Sequence, residues 1–182
     1  MHSLLVSTLA KLLVPAVAAL VVLLVSRKRG FSWGEDLGLR RPKTLALFGW
    51  LGLWLVWIAA SEVLIRVLGL DQAKAWPGYP PSILVLRIVA IGLVGPFAEE
   101  LVMRGVVFHV LRRTALGPLG AIAVTAVGWS AMHYLYGPGT LALVAVDGVV
   151  LGLARHRSGS LWVPVAMHAL GNLISICQSL TL

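Results

Sequence analysis

The feature that most constrains this chain is a series of long apolar segments separated by short loops. Six can be drawn, at about 3–26, 44–68, 82–111, 117–136, 140–155 and 160–180. No Asp, Glu, Lys or Arg lies between Thr114 and Val146, so only a Gly-Pro-Gly turn at 137–139 separates the fourth segment from the fifth. About 20 apolar residues suffice for a helix to cross a bilayer. The sequence therefore predicts an all-α fold, a polytopic transmembrane helical bundle of about six membrane-spanning helices.

The composition supports a membrane protein with a single domain. The chain has 182 residues, of which 59% are hydrophobic and 12% are charged, whereas soluble domains carry about 25% charged residues. A soluble fold of this size could not bury so much apolar surface, so the remainder must face lipid. The first segment has no basic residue before it and Arg27-Lys28-Arg29 after it, which indicates a retained helix rather than a cleaved signal. We expect one integral membrane domain over 1–182.

The basic residues predict the orientation. Alternate loops carry ten basic residues, namely Arg27, Lys28, Arg29, Arg40, Arg41, Lys43, Arg112, Arg113, Arg155 and Arg157. The intervening loops carry only Lys74. The positive-inside rule then places the ten in the cytoplasm and both termini outside, and the short chain fits a prokaryotic inner membrane. The net charge of +8 follows from this topology, so membrane lipid rather than nucleic acid is the expected partner.

Charged residues inside apolar segments are costly, and each needs a partner or a role. Glu62 and Arg66 are four residues apart on one helix face and are expected to pair. Asp147 stands alone in the fifth segment and is expected to hydrogen-bond to a neighbouring helix. His109 is expected at the membrane interface, and Cys177, the single cysteine, in the core.

The third segment holds three charges together, Glu99, Glu100 and Arg104. Glu100 and Arg104 are four apart, so they share a helix face and can form an intrahelical salt bridge. Glu99 is five residues from Arg104 and lies about 140° around the helix, given 3.6 residues per turn. Glu100 is thus expected to be neutralised, while Glu99 points elsewhere and is available as a general base. A buried ion-pair network that only holds helices together is the alternative.

Further polar groups lie on other predicted helices. His133 falls in the outer half of the fourth segment, and His168 and Asn172 are four residues apart on one face of the sixth. Polar groups in lipid normally face the bundle interior, where they meet one another. We therefore expect these three side chains to join the charged residues of the third segment in one polar centre.

This set of groups suits hydrolysis by water. A Glu and a His can deprotonate water, and His and Asn side chains can donate hydrogen bonds to the oxyanion that forms. No Ser or Cys has the context of a nucleophile, and there is no His-Glu-x-x-His zinc motif. No cofactor is expected, although zinc held by Glu99, His133 and His168 is chemically possible, because two His and one Glu form a known ligand set.

These motifs resemble those of the CPBP family, the Abi or CAAX-protease group that includes type II CAAX prenyl proteases. The similarity rests on Glu99-Glu100-x-x-x-Arg104, Trp129-x-x-x-His133 and His168-x-x-x-Asn172, and it covers a core of about 82–175. The resemblance implies an intramembrane endopeptidase that cleaves a membrane-associated peptide or protein. By position, Glu99 and His133 would activate water, His168 and Asn172 would stabilise the oxyanion, and Glu100 and Arg104 would shape the site.

The sequence departs from the family pattern at one motif position and leaves one geometric conflict. Trp129 stands where a Phe is usual, which we treat as minor. Glu99 falls inward of the middle of its helix while His133 falls near an outer end, so either the third helix bends at Gly95-Pro96 or the predicted boundaries are wrong by a turn. A non-catalytic scaffold or bacteriocin-immunity-type protein, or a transporter, is the competing interpretation.

Overall fold

The computed structural model describes residues 2–70, 75–76 and 78–181, and within these ranges the regular structure is entirely helical. There are six helices: α1 His2–Lys28, α2 Thr44–Val67, α3 Pro81–Leu111, α4 Gly117–Ala131, α5 Pro138–Ser158 and α6 Trp162–Thr181. The predicted all-α membrane bundle is therefore confirmed. Lys74, used above to assign the orientation, lies outside the described residues.

Five of the six helices are long and apolar enough to cross a membrane, and α4 is the exception. It has 15 residues, about 22 Å at 1.5 Å per residue, and ends at Ala131 rather than near 136 as predicted. In contrast, α5 has 21 residues and is longer than the predicted 140–155. It begins at Pro138, since the first turn of a helix tolerates proline, and it ends at Ser158, because the next residue, Gly159, has a left-handed φ of 68°.

The three basic loops meet at one end of the bundle. Arg113 Nη2 donates to Asp36 Oδ1 at 3.0 Å, which joins the α3–α4 loop to the α1–α2 loop. The amide of Leu161 donates to the carbonyl of Gly38 at 2.7 Å, which brings in the α5–α6 loop. Alternate loops therefore lie at the same end, as the charge pattern predicts.

The other two loops lie at the opposite end. The amide of Trp76, before α3, donates to the carbonyl of Ser179 near the end of α6 at 2.9 Å. Gly139, at the start of α5, lies directly against the side chain of Leu70. The α4 helix and the turn after it thus return from the basic end to this end, although α4 is short.

Helices α4 and α5 pack at very close range because α5 presents glycines to α4. A Cβ added at Gly148 would lie 2.8 Å from the Cα of Ala126, and one at Gly152 would lie 2.9 Å from Ile122 Cγ2. Small residues allow such close backbone approach between helices in membranes.

On the other side of the bundle, only 6% of the most apolar stretch of α2 is buried within the protein. That helix therefore presents its apolar side chains to lipid.

Two expectations about polar or small residues were wrong, and a third residue has a partner that the sequence did not indicate. Glu62 and Arg66 form no ion pair in the described structure, where the ion pairs involve other residues. Cys177 is exposed rather than packed in the core, because its face of α6 points outward. His109, expected at the membrane interface, is buried within the protein, because the α1–α2 loop covers the end of α3 and brings Asp36 Oδ1 to 3.6 Å from His109 Nδ1.

Asp147 does hydrogen-bond to a neighbouring helix, since Trp57 Nε1 of α2 donates to its Oδ1 at 2.5 Å.

Arg155 does not lie in a basic loop, although its sequence position predicts that it does. It lies inside α5, is 2% exposed, and donates from Nε to the carbonyl of Arg104 at 3.1 Å. A basic residue near a predicted helix end can thus be part of the interior.

Candidate active site

Helix α3 carries the two glutamates between two π-helical stretches, Ala90–Val94 and Leu101–Val107. Such stretches are rare and are frequently found at functional sites. In the first, the amide of Gly95 donates to the carbonyl of Ala90, and Pro96 has no amide to donate. The carbonyl of Ile91 is therefore left for a side chain, and Asn172 Nδ2 of α6 donates to it at 2.8 Å.

The predicted pair of Glu100 and Arg104 is present and completely buried. Arg104 Nη1 donates to Glu100 Oε1 at 2.9 Å, and both side chains have no exposed surface. Arg104 Nη2 also donates to the carbonyl of Gly148 in α5 at 3.1 Å. Glu100 Oε1 is 3.0 Å from His168 Nδ1 in α6. A carboxylate only accepts, so Nδ1 carries the proton and Nε2 is left facing the site. One buried network thus joins α3, α5 and α6.

Glu99 points away from this pair, as its position on the helix predicts. Its Oε2 accepts a hydrogen bond from Trp129 Nε1 at 2.8 Å and lies 4.0 Å from His168 Nε2. One third of its side chain is exposed. The two adjacent carboxylates therefore occupy different environments, one closed within an ion pair and one open to a cavity.

The ring of Trp129 lies against three further groups of the site. Its ring centroid is 4.9 Å from Arg104 Cζ, 5.1 Å from the ring of His133 and 5.2 Å from the ring of His168. Trp129 is therefore more than a minor departure from the family pattern, because a phenylalanine has no N–H to donate to Glu99. The signal that was missed is that a buried indole N–H usually has a hydrogen-bond partner.

His133 lies in the turn that follows α4, not within the helix as predicted. Its Nδ1 is 3.0 Å from the carbonyl of Trp129, and because a carbonyl only accepts, Nδ1 carries the proton and Nε2 has a free lone pair. The early end of α4 also removes the conflict in the depths of Glu99 and His133. The predicted boundary was too late by more than one turn, because the apolar and aromatic residues after Ala131 continue the pattern without continuing the helix.

A cavity of about 850 Å³ brings the predicted residues together. It is lined by Glu99 of α3, His133 of the α4–α5 turn, and His168 and Asn172 of α6. Glu100 and Arg104 do not line it but lie behind Glu99 and His168. The structure thus divides the six predicted residues into four that face the cavity and two that are buried behind them.

The zinc ligand set considered above, Glu99, His133 and His168, lines this cavity. No group of three or more His, Cys, Asp or Glu side chains among the described residues is placed to hold a metal ion. Glu99 Oε2 accepts a hydrogen bond from the Trp129 indole and His133 Nδ1 faces a backbone carbonyl, whereas Glu99 Oε1 and His133 Nε2 make no hydrogen bond in the described part of the chain.

Comparison with known proteins shows the family to which the chain belongs. A family model, described as type II CAAX prenyl endopeptidase Rce1-like, matches residues 80–174, which include all six site residues. An Escherichia coli protein, described as an uncharacterized 24.3 kDa protein, is 32% identical over 129 residues. That match covers 63% of this chain and 58% of the relative, so the chain spans less than two thirds of it. No solved structure matches. With six apolar helices and more than half of its length matched, the chain belongs to the Rce1-like family of type II CAAX prenyl endopeptidases, a family of membrane proteases.

Proposed function

We propose that this protein is an intramembrane endopeptidase that hydrolyses a peptide bond near the membrane with a water molecule activated by Glu99 and His133. Its substrate is a membrane-associated protein or peptide with a sorting signal or leader. The observation that carries the proposal is the convergence of Glu99, His133, His168 and Asn172 on one cavity from three parts of the fold.

The attack step needs a base with room for water. Glu99 Oε1 has no hydrogen-bond partner within the described residues, and Nε2 of His133 has a free lone pair. In the proposed step, water bound between them gives a proton to Glu99, and its oxygen forms a bond to the carbonyl carbon of the substrate. Glu99 then transfers that proton to the amine nitrogen as the C–N bond breaks, so it acts first as base and then as acid.

The oxyanion formed in the attack needs donors. Asn172 uses one N–H of its amide on the Ile91 carbonyl and retains the second for the oxyanion. His168 donates from Nδ1 to Glu100, so it must carry both protons to donate from Nε2 as well. Two such donors, held in place before the reaction, are a common means of stabilising a tetrahedral intermediate. Glu100 and Arg104 act as positioning residues, because they fix the ring of His168.

We propose that no step requires a metal; in support, no three His, Cys, Asp or Glu side chains within residues 2–70, 75–76 and 78–181 are placed to hold a metal ion. Washing with EDTA, followed by passage through a chelating resin, should leave cleavage by the purified protein unchanged. Loss of cleavage that returns with zinc would contradict the metal-free mechanism while leaving the peptidase activity in place.

We further propose that the protein lies in a prokaryotic inner membrane with its basic end in the cytoplasm and both termini outside. The three basic loops meet at one end of the bundle, which supports this orientation. A cysteine placed at His2, in a Cys177→Ser background, should react with an impermeant maleimide added to intact cells. Labelling only after lysis would show that the N-terminus lies in the cytoplasm, opposite to the proposed orientation.

The peptidase proposal is tested with Glu99→Gln and a matched variant, Glu62→Gln. Both remove one carboxylate from a membrane helix, but Glu62 lies on α2 and does not line the cavity. Each is expressed in the parent cell, and membrane and secreted proteins are compared by intact-mass spectrometry. A precursor should accumulate with Glu99→Gln and not with Glu62→Gln, and its excess mass locates the cut.

An unchanged profile, with Glu99→Gln present at the normal level and with the thermal stability of the wild type, would overturn the proposal. The polar cluster would then serve helix packing in a non-catalytic scaffold or immunity-type protein. The buried network of Glu100, Arg104 and His168 would suffice for that role.

A further inference from the structure

The cavity that holds the four polar side chains continues to a second end, which is cationic. There it is lined by Lys11 of α1, by Arg87 near the start of α3 and by Trp76 of the preceding loop. Neither cation forms an ion pair with an acid in the described parts of the chain. The proposed reaction uses neither of them.

Arg87 is held in place by neutral groups alone. Its Nη1 donates to Thr8 Oγ1 at 3.3 Å and to Ser7 Oγ at 3.5 Å. Its Cζ lies 5.3 Å from the ring centroid of Trp76 and 4.9 Å from that of Tyr79. Such cation–π contacts fix the guanidinium without neutralising it.

Two of the three nitrogens of this guanidinium make no hydrogen bond to the described residues. Nε is buried and makes no hydrogen bond, and Nη2 also has no partner among residues 2–70, 75–76 and 78–181. Arginine binds carboxylates and phosphates through its guanidinium N–H groups. An unpaired cation in a membrane helix is costly, so a ligand that brings a negative charge to Arg87 would stabilise this part of the protein.

We propose, on the basis of the peptidase function, that this end of the cavity is a subsite for an anionic group of the substrate. The group is an oxyanion, either the C-terminal carboxylate of a peptide or the phosphate of a lipid headgroup. Arg87 binds it through Nη2, and Lys11 adds a second positive charge. Cleavage then occurs at a set distance from the anion.

The helix gives that distance. Arg87 and Glu99 are twelve residues apart on α3, which corresponds to about 18 Å at 1.5 Å per residue. An extended peptide covers this length with about five residues at 3.3 Å each. A hexapeptide is therefore long enough to reach from the subsite to the catalytic groups.

The test measures binding rather than cleavage, so that it does not depend on the peptidase reaction. The Glu99→Gln protein, full-length and in nanodiscs of a zwitterionic lipid, is titrated with an N-terminally fluorescein-labelled apolar hexapeptide, and fluorescence anisotropy is recorded. Two forms of the peptide are compared, one with a free C-terminal carboxylate and one with a C-terminal amide. Glycerol 3-phosphate is then added as a competitor.

Three variants in the same background identify the residues involved. Arg87→Gln removes the proposed ligand, and Lys11→Gln removes an exposed charge without a protein partner, so that this variant should fold normally. Arg66→Gln is the matched control, because Arg66 is a basic residue near the end of α2 that does not line the cavity.

The carboxylate form should bind about ten-fold or more tightly than the amide, the difference expected for charge-assisted hydrogen bonds. Arg87→Gln should abolish this preference, Lys11→Gln should reduce it, and Arg66→Gln should leave it unchanged. Displacement of the peptide by millimolar glycerol 3-phosphate would identify a phosphate as the preferred anion, and its absence a carboxylate. Equal binding of the two peptides, or a preference that survives both Arg87→Gln and Lys11→Gln, would overturn the subsite.

The two proposals can fail separately. If Glu99→Gln does not block processing in cells but the anion preference is present, the subsite stands and the peptidase function does not. If processing is blocked and the anion preference is absent, the peptidase function stands and the subsite does not.

Discussion

Replacement of Arg104 by methionine tests whether the buried network holds the bundle together. The substitution keeps an unbranched side chain of similar length but removes the hydrogen bonds to Glu100 Oε1 and to the carbonyl of Gly148. Glu100 then keeps only His168 as a partner, and its side chain has no exposed surface that water could reach. A charge is thereby left in the interior without its cation.

The expected loss is about 3–5 kcal/mol, the cost of removing one partner of a buried ion pair. For a chain of this length, that corresponds to a fall in Tm of roughly 6–20 °C. Replacing Glu100 by glutamine in the same protein removes the unpaired charge. Since the two residues are in contact, the double variant should recover about 1–3 kcal/mol relative to the sum of the single variants.

The assay is reversible unfolding by SDS in mixed micelles, followed by tryptophan fluorescence. Arg113→Met is the matched control, since Arg113 also pairs with a carboxylate but is 62% exposed. An exposed pair contributes about 0–1 kcal/mol, so this variant should unfold close to the wild type. The reasoning is wrong if Arg104→Met and Arg113→Met unfold within 1 kcal/mol of each other, a margin set by the exposed-pair value.

Two further predictions concern the site and the packing beside it. Trp129→Phe removes the indole N–H from Glu99 Oε2 and should lower kcat about ten-fold or more, since hydrogen bonds to charged groups are worth about 1.5–3 kcal/mol. The exposed Trp162→Phe should retain the wild-type rate, and equal rates for both variants would show that the ring alone matters. Gly148→Ala would place a Cβ 2.8 Å from the Cα of Ala126. Helices α4 and α5 must then separate, so the SDS titration should show a loss of about 1–3 kcal/mol, and an unchanged midpoint would contradict the close packing.

The local part of the site could be predicted from the sequence because it depends on helical spacing. Glu100 and Arg104 are four residues apart, and their pairing requires only that the segment be helical. The different direction of Glu99 follows from the same geometry. His168 and Asn172 likewise share a face of α6, and the structure places both at the cavity.

The remaining features depend on tertiary contacts that no local pattern contains. Trp129 became a partner of Glu99 only because α4 packs beside α3, and Arg155 is buried only because the α1–α2 loop folds over the end of the bundle. The sequence predicts a helix through His133, because residues 132–136 are as apolar as the last turn of a membrane helix. The π-helical stretches of α3 were not predicted either, since they add one residue to a turn without changing its apolar character.

The proline in α3 makes the helix less regular but fixes the orientation of Asn172. Because Pro96 cannot donate to the carbonyl of Ile91, Asn172 satisfies that carbonyl and has its amide plane fixed by the helix opposite. In a Pro96→Ala protein, the restored backbone amide would compete for the same acceptor and release Asn172 to rotate. Such a protein would have a more regular α3 and a less ordered oxyanion donor. The backbone hydrogen bond that Pro96 cannot make is thus what orients the side chain of Asn172.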